Sequence, residues 1–186
     1  MLIKEYNKNW VDSFTKLKQK LESNLPTNTK IEHVGSTSVP NLAAKAIIDI
    51  DIIYFDEVNF ANKFEEIKKA LAKIGYFHNG NQGIKDREVF KRRPQNDIEN
   101  EFDEVLDTIT HHLYVCSSKS KELERHLLFR DYLRQNEKAR TDYQNLKYDL
   151  AEKVNQQKKQ YAELKEKKAK GFINEIIERA RNKFIK

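Results

Sequence analysis

The sequence predicts an α+β fold in which a β-sheet is flanked by helices and followed by a helical C-terminal region. A β-branched apolar run at 46–55 predicts a central strand. The alternating stretch THHLYVC at 110–116 predicts another strand of the same sheet. From Ser117 onward nearly every segment has helical character. We therefore expect a core over 1–118 and helices over 119–186 that pack on this core as a single domain.

The other elements follow from spacing and turn residues. Helices are predicted where apolar residues recur every three or four positions, over 12–25, 57–74, 119–135, 137–168 and 172–185. Strands are predicted where short runs are bounded by turn residues, over 30–34, 75–83 and 86–93. Asp12 is the expected N-cap of the first helix, and Gly171 is expected to separate the last two. The acidic segment 94–107 has little periodicity and is expected to be an exposed, mobile loop.

The composition excludes several classes of protein. The single cysteine, Cys116, excludes an internal disulfide framework and a zinc site built from cysteines. The apolar runs are far shorter than the roughly 20 residues that span a bilayer, and the N-terminus has no signal-peptide pattern. We therefore expect a cytoplasmic protein with no membrane partner. The sequence contains neither a Walker A loop nor a GxGxxG motif, so P-loop and Rossmann mechanisms have no support.

The positive charge is concentrated in the C-terminal region. The formal net charge of the chain is +6. Residues 1–118 hold 16 basic and 18 acidic side chains, whereas residues 119–186 hold 19 and 11, a net charge of +8. Such a tail is compatible with a nucleic-acid partner, or with a solvated helix surface that carries both signs. The lysine-rich stretch 158–170 has only Tyr161 as an aromatic residue, too few for a stacking platform on single strands.

Two carboxylates lie two residues apart in the predicted central strand. Side chains at i and i+2 project from the same face of a strand, so Asp49 and Asp51 originate roughly 6.5 Å apart. Their mutual repulsion is roughly 2–3 kcal/mol at an effective dielectric near 20, which favours a cation nearby. Mg²⁺ suits this place because it typically binds one or two carboxylates together with substrate phosphates. The alternative is a strand end at which the acids reach water or pair with Lys45 or Arg87.

A turn of small residues precedes the two acids. Gly35 and Ser36 follow the first predicted strand, and twelve residues separate them from Asp49. Glycine permits a close approach of the backbone, and the serine hydroxyl with nearby N–H groups can hold phosphate oxygens. Lys45 could neutralise a phosphate or the acids, and Arg87 could bind a triphosphate bidentately. A phosphate site and a carboxylate pair together are the parts that phosphoryl or nucleotidyl transfer needs.

The order hydrophobic-Gly-Ser, about a dozen residues, then Asp-hydrophobic-Asp resembles the signature of the nucleotidyltransferase superfamily. Five stretches resemble the GrpB family of predicted nucleotidyltransferases: HVGSTSVPNLAAKAIIDIDI (33–52), GN-x-GI-x-x-R (80–87), HHLYVC (111–116), FRDYLR (129–134) and Y-x-x-LK (143–147). The resemblance covers nearly the whole chain. It implies a nucleotidyltransferase-like mixed β-sheet core flanked by helices. It also implies that Gly35 and Ser36 bind phosphate and that Asp49 and Asp51 bind Mg²⁺.

The resemblance further implies a reaction, in which Mg²⁺ or Mn²⁺ assists transfer of a nucleotidyl group from an NTP to an unidentified hydroxyl or phosphate. A two-metal enzyme of this kind usually has a third carboxylate on a later strand, but the stretch 110–116 offers histidines and no acid. His112 and Tyr114 share one face of that strand, and His111 lies on the other. At most one histidine therefore faces the site. Either His112 or His111 substitutes for the missing carboxylate, or an acid from the 97–107 loop does, or the second metal is absent. The candidate catalytic residues are Asp49, Asp51 and His112.

Two other functions are compatible with the sequence. A catalytically degenerate chain would bind a nucleotide or another phosphate ligand without turnover and act as a regulatory module. A chain that uses its basic tail would bind nucleic acid, with the acids serving structure alone. Outside the candidate site, scaffold ion pairs are the expected role of Arg130 and Arg134, and helix packing that of Tyr143 and Lys147. His126 is expected to have no functional role.

Overall fold

The computed structural model describes residues 1–55, 60–94 and 101–184. The helices are α1 (Asn9–Glu22), α2 (Phe60–Lys73), α3 (Glu104–Thr108), α4 (Lys121–Gln135), α5 (Glu137–Lys153) and α6 (Lys158–Phe184). The strands are β1 (Thr29–Val34), β2 (Ile48–Tyr54), β3 (Tyr76–His78), β4 (Glu88–Arg92) and β5 (His111–Ser117), and Ser36–Ser38 form a short 3-10 turn. The predicted α+β class is confirmed.

The described strands form one mixed sheet in the order β1-β2-β5-β4-β3. β2 and β5 run parallel at its centre, while the other neighbouring pairs are antiparallel. The sequence of β2, IDIDIIY, is buried along almost its whole length, as expected for a strand with covered faces on both sides. The flanking layers therefore lie above and below β2 and β5.

One face of the sheet packs against the first three helices. This layer consists of apolar side chains from α1, α2 and α3 and from β1, β2 and β5. They are Trp10, Leu17, Leu21, Ile31, Ile50, Ile52, Ile67, Leu71, Leu106, Leu113 and Val115. The predicted spacing of apolar residues in the first two helices places Leu17, Leu21, Ile67 and Leu71 in this layer. Burial of each such side chain contributes about 1.5–3 kcal/mol relative to exposure.

The opposite face is covered by the C-terminal helices. Leu123 of α4 packs on Ile53 and Cys116. A separate apolar cluster joins α4, α5 and α6 to Val39 and Leu42, which lie in the loop between β1 and β2. The C-terminal helices therefore pack against both the sheet and the loop that carries the predicted phosphate-binding residues.

Three details of the predicted helices are wrong. α1 begins at Asn9, so Asp12 lies inside the helix, and the N-cap is Lys8 without a side-chain hydrogen bond. The helix predicted over 137–168 is interrupted after Lys153, and Asn155 and Gln156 adopt positive φ angles of 49° and 62°. Gly171 lies within α6 and does not separate two helices. Among the described helices, each is too short or too polar to span a lipid bilayer.

The prediction of an exposed loop over 94–107 is also wrong in part. Residues 95–100 lie outside the described part of the chain, but Glu104–Thr108 form α3 with Leu106 buried. Asp103 caps this helix, since its side chain accepts hydrogen bonds from two backbone N–H groups of the first turn. Asp107 binds the Arg92 guanidinium through both carboxylate oxygens, at 2.7 and 2.8 Å. Capping by Asp103 and the ion pair of Asp107 thus stabilise a helix where weak periodicity predicted an exposed, mobile loop.

Candidate functional site

The parallel register of β2 and β5 places four polar side chains on one face of the sheet. Asp49 lies opposite His112, and Asp51 lies opposite Tyr114. Residues opposite each other in adjacent strands share a face, as do residues two apart in one strand. His111 points to the other side, where its Nε2 lies 2.5 Å from the Tyr76 hydroxyl. The sheet therefore brings both predicted acids and His112 together, as the alternation of strand residues indicates.

The turn after β1 lies directly against Asp49. Gly35 has a φ of +71°, in the region that favours glycine. A Cβ atom at this position would lie 2.2 Å from Asp49 Oδ2, so any larger residue would collide with the carboxylate. The contact between Gly35 and Asp49 explains why the loop needs a residue without a side chain.

Side chains from β1 and α4 hold this turn in place. His33 Nε2 and Thr37 Oγ1 are 3.0 Å apart, and the His33 ring stacks on Phe14. Arg134 donates two hydrogen bonds to the Ser38 carbonyl, at 2.8 and 3.1 Å. Burial lowers the pKa of His33 to about 4, even though the nearby Asp49 opposes this shift, so the ring is neutral near pH 7.

The two acids have different surroundings. The Asp49 side chain is 28% exposed, and its Oδ1 accepts a hydrogen bond from His112 Nδ1 at 2.8 Å. Asp51 is fully buried, and its Oδ2 accepts a hydrogen bond from His126 Nδ1 at 2.8 Å. Asp51 Oδ1 is buried without a hydrogen-bond partner among the described residues. Asp49 is thus accessible to a ligand, while Asp51 lies behind it.

His126 of α4 connects Asp51 to a further carboxylate. Its Nε2 lies 3.3 Å from Glu122 Oε1, so the ring bridges two acids. Burial alone would lower the pKa of His126, but the hydrogen bonds to Asp51 and Glu122 outweigh it and raise the pKa to about 9. The imidazolium therefore compensates much of the buried negative charge.

A cavity of about 320 Å³ opens beside Asp49. It lies between the sheet, the turn after β1 and the C-terminal helices. Its lining residues are Gly35, Ser36, Thr37, Ala44, Lys45, Ile47, Asp49, His112, Tyr114, Arg125, His126, Phe129, Tyr143, Lys147, Tyr161, Lys165 and Ile173. Among the described residues this lining holds three lysines and one arginine but only one carboxylate, that of Asp49. The surplus of positive charge favours an anionic ligand.

Lys147 belongs to α5, and its side chain contacts the turn after β1. It is 2% exposed, and its Nζ donates to Ser36 Oγ at 3.3 Å and to the Ala43 carbonyl. The same Nζ lies 4.8 Å from the centroid of the Tyr143 ring. Burial lowers the pKa of Lys147 well below its usual value. The helix-packing role expected for Lys147 therefore omits its contacts with the loop between β1 and β2, one of which is with the predicted phosphate-binding serine.

The structure separates the predicted site residues into three groups. Gly35, Ser36, Lys45, Asp49 and His112 line the cavity. Asp51 lies behind Asp49 and does not line it. Arg87 also lies outside the lining, because its guanidinium stacks on the Tyr114 ring at 4.6 Å from the centroid. Direct bidentate contact between Arg87 and a ligand in the cavity is thus not favoured by this arrangement.

Sequence reasoning missed the contribution of the C-terminal helices to the site. His126 and Arg125 come from α4, Lys147 from α5 and Lys165 from α6. The stretch Y-x-x-LK, which includes Lys147, was a signal in the sequence, because it belongs to the family resemblance. His126 had no such signal, since its partner Asp51 lies 75 residues earlier in the chain.

The donor set suits a single Mg²⁺ shared with a phosphate ligand better than two ions. No group of three His, Cys, Asp or Glu residues in the described chain is arranged to bind a metal. The unpaired Asp51 Oδ1 and the accessible Asp49 offer carboxylate oxygens, and Mg²⁺ commonly takes one or two of these with phosphates and water. For a second ion, β5 offers His112 and Tyr114 on this face in place of a carboxylate.

The sheet and the turn beside it define a class of fold. A mixed sheet with an acid pair on its central strand and a glycine-serine turn beside it is a nucleotidyltransferase-like fold. It is similar to the solved "Structure of Cid1 in complex with its short product ApU", with a TM-score of 0.53 and 10% identity. The match covers 81% of this chain and 43% of the Cid1 chain, and at this identity it concerns the fold alone.

Within this class the chain belongs to the GrpB family. The family model described as "GrpB protein" matches residues 1–179. The crystal structure of the conserved protein GrpB from Enterococcus faecalis has a TM-score of 0.76 and 32% identity, with 99% of both chains covered. UPF0157 protein YqkA of Bacillus subtilis (strain 168) is 35% identical over 147 residues, which are 78% of this chain. The match spans only 38% of the YqkA chain. The predicted family is thereby confirmed.

Proposed function

We propose that the cavity binds the triphosphate of a nucleotide with Mg²⁺, and that the chain transfers the nucleotidyl group to an acceptor hydroxyl or phosphate. The observation that carries this proposal is the contact of the Gly35 turn with Asp49 at the edge of a cavity rich in positive charge. A phosphate-binding turn and a metal-binding carboxylate would then act on the same triphosphate. The fold that this chain shares with Cid1 supports nucleotidyl transfer as the class of reaction.

The binding roles follow from the lining of the cavity. Ser36 and the backbone N–H groups of the turn would hold the β- and γ-phosphates. Lys45 and Lys165 face the same space and would neutralise phosphate charge. Asp49 and Asp51 would hold Mg²⁺, which supplies charge neutralisation and polarisation of the α-phosphate when it is bound.

In this proposal His112 would receive a proton from the acceptor. Its Nδ1 is engaged by Asp49, which leaves Nε2 available, and its side chain is 48% exposed. Attack of the acceptor oxygen on the α-phosphorus would release pyrophosphate, and the acceptor proton would pass to His112 Nε2. Asp49 would orient the imidazole, as carboxylates do in other acid–base pairs.

The decisive experiment combines binding and turnover. Thermal shifts with the four ribonucleotides, with and without Mg²⁺, are compared for wild type, Asp49→Asn and the control Asp142→Asn, an exposed acid that pairs with Lys138. We expect a Mg²⁺-dependent shift and pyrophosphate release in wild type and control. Both should fall in Asp49→Asn, the release by about 100-fold. A nucleotide shift unchanged in Asp49→Asn would refute the metal-binding role.

A degenerate phosphate-binding module is the second candidate. Two observations favour it: β5 carries no carboxylate beside Asp49, and Asp51 is already paired with His126. It predicts a nucleotide-dependent thermal shift without pyrophosphate at any acceptor concentration. Binding of RNA or DNA that falls steeply with salt and survives Asp49→Asn with Asp51→Asn would instead support a nucleic-acid-binding role for the basic helices.

A further inference from the structure

Lys147 is a buried lysine that has no acidic partner among the described residues. It is 2% exposed, and its contacts in the described chain are the Ser36 hydroxyl, the Ala43 carbonyl and the Tyr143 ring. An isolated buried ammonium is costly, because its hydration is lost without compensation by an opposite charge. Burial without an opposite charge therefore disfavours the ammonium form of Lys147 relative to that of an exposed lysine.

The charged and titratable groups around the cavity strengthen this preference. They come from every element that packs there: Lys45, Asp49, His112, Tyr114, Arg125, His126, Tyr143, Tyr161 and Lys165. Asp49 is the sole carboxylate of this described set and is already bonded to His112. Burial, followed by repulsion from Lys165, lowers the pKa of Lys147. Lys165 behaves in the opposite way, since its pKa is raised chiefly by Tyr143.

We propose that a tetrahedral dianion, such as the terminal phosphate of a nucleotide, binds at Lys147 between the Ser36 turn and helices α5 and α6, and that its binding transfers one proton from solvent to the Lys147 amine. The resulting ammonium forms an ion pair with the bound anion. This inference deepens the proposed function and rests on it only for the identity of the natural anion.

The proposal has a direct thermodynamic consequence. Protonation on binding means that affinity falls as pH rises, by up to about tenfold per pH unit where the free amine is neutral and the bound one is charged. A cavity whose lysines were all permanently charged would show no such slope. A measurement of proton uptake on binding therefore distinguishes a Lys147 amine that is protonated on binding from a pocket whose lysines are always charged.

Sulfate is the probe, because it is a tetrahedral dianion that does not titrate in this range. Its binding is measured by calorimetry at about pH 8, without metal, in two buffers with different ionisation enthalpies. For wild type we expect the apparent binding enthalpies to differ by an amount that corresponds to uptake of up to one proton. Equal enthalpies in the two buffers, or no binding at high millimolar sulfate, would overturn the proposal.

Variants assign the proton to Lys147. Lys147→Arg keeps a permanent charge and should bind sulfate without proton uptake, because the guanidinium does not deprotonate. Lys147→Met should bind at least about tenfold more weakly, whereas Lys138→Met, at an exposed site of the same helix, should match wild type in both measurements. Wild-type proton uptake that persists in Lys147→Met would assign the proton elsewhere.

The experiment is independent of catalysis. It uses no metal, nucleotide or acceptor, so absence of pyrophosphate release would refute nucleotidyl transfer and leave the sulfate result unaffected. Conversely, a chain that releases pyrophosphate but binds sulfate without proton uptake would keep the proposed function and refute the role of Lys147. Circular dichroism and melting curves of each variant establish that the fold is retained. If both Lys147 variants unfold, the wild-type enthalpies alone still decide whether a proton is taken up.

Discussion

At the scale of single residues, the contact between Gly35 and Asp49 makes the sharpest prediction. A methyl group at position 35 would approach Asp49 Oδ2 to 2.2 Å, and the φ of +71° is unfavourable for alanine. We expect Gly35→Ala to lower the free energy of unfolding by about 1–3 kcal/mol and to abolish the nucleotide-dependent thermal shift. Urea denaturation and the thermal-shift assay measure the two effects.

Gly171→Ala is the matched control. A Cβ at Gly171 meets no atom within 4 Å, and the residue lies within helix α6. Replacement there should be neutral or stabilise the chain by up to about 1 kcal/mol, because alanine favours the helix. If the two alanine variants had equal stability and equal nucleotide shifts, the proposed steric role of Gly35 would be wrong.

His33 gives the residue-scale pH dependence. Its pKa is about 4 in the folded chain and near 6.5 when unfolded, so the unfolded chain binds more protons between these values. The contribution of neutral His33 is therefore complete above pH 6.5 and is lost as pH falls to about 4. We expect the free energy of unfolding to decrease by roughly 2–3 kcal/mol across this interval from this group.

Urea denaturation at a series of pH values measures this effect. The variant His33→Gln, which has no titrating ring, should show a shallower dependence between pH 4 and 6.5. His78→Gln is the comparison, because His78 is paired with Glu88 near the edge of the sheet and lies far from the turn. A wild-type slope that persists in His33→Gln would assign the pH dependence to other groups.

The sequence allowed part of the candidate site to be predicted. Asp49 and Gly35 were identifiable because strand alternation and a conformational need for glycine act over short distances along the chain. Short-range reasoning of this kind could not identify Lys147, because its contact with Ser36 joins residues 111 positions apart. The family resemblance of the stretch Y-x-x-LK was the sequence signal that included it. Arg87 was predicted from its charge, but the aromatic ring of Tyr114 sets its position.

At the scale of elements, the hydrogen bonds of Arg130 connect α4 to β1. One guanidinium nitrogen donates to Glu32 at 2.7 Å and to the His33 carbonyl at 3.0 Å, while the others bind Asp131. The scaffold role expected for Arg130 thus agrees with its contacts. Because the planar fork satisfies several acceptors at once, lysine cannot replace it fully.

Arg130→Lys should therefore lower the free energy of unfolding by about 1–3 kcal/mol, because acceptors at a largely buried site lose their donors. Arg179→Lys, in an exposed pair with Glu175, should have no measurable effect. Chemical denaturation compares the two variants. Equal stability of both would mean that the α4–β1 contact contributes little.

Element boundaries were harder to predict than element types. The interruption between α5 and α6 includes Asn155 and Gln156, which adopt positive φ angles although the sequence there offers neither glycine nor proline as a signal. Helix α3 was missed because its stability comes from the cap at Asp103 and the pairing of Asp107 with Arg92. The local cap and the ion pair between α3 and β4 thus stabilise a helix that apolar periodicity does not predict.

At the scale of the whole molecule, we expect the two regions to unfold together. Val39 and Leu42 share an apolar cluster with α4, α5 and α6, and Leu123 packs on the sheet. Calorimetry of the full chain should give one cooperative transition. The fragment 1–118 should lack cooperative unfolding and any nucleotide-dependent shift, because it loses Lys147 and Lys165. A fragment that melted cooperatively by itself would indicate two independent folding units.

The burial of Lys147 also affects how the chain behaves toward other macromolecules. The formal net charge overstates the positive charge that a polyanion or a cation-exchange resin meets at the surface of the protein. Lys147 is buried, and Lys45 and Lys165 face the cavity. We expect retention on such a resin to be weaker than for an unstructured peptide of the same formal charge. An anion bound in the cavity should weaken retention on the resin further.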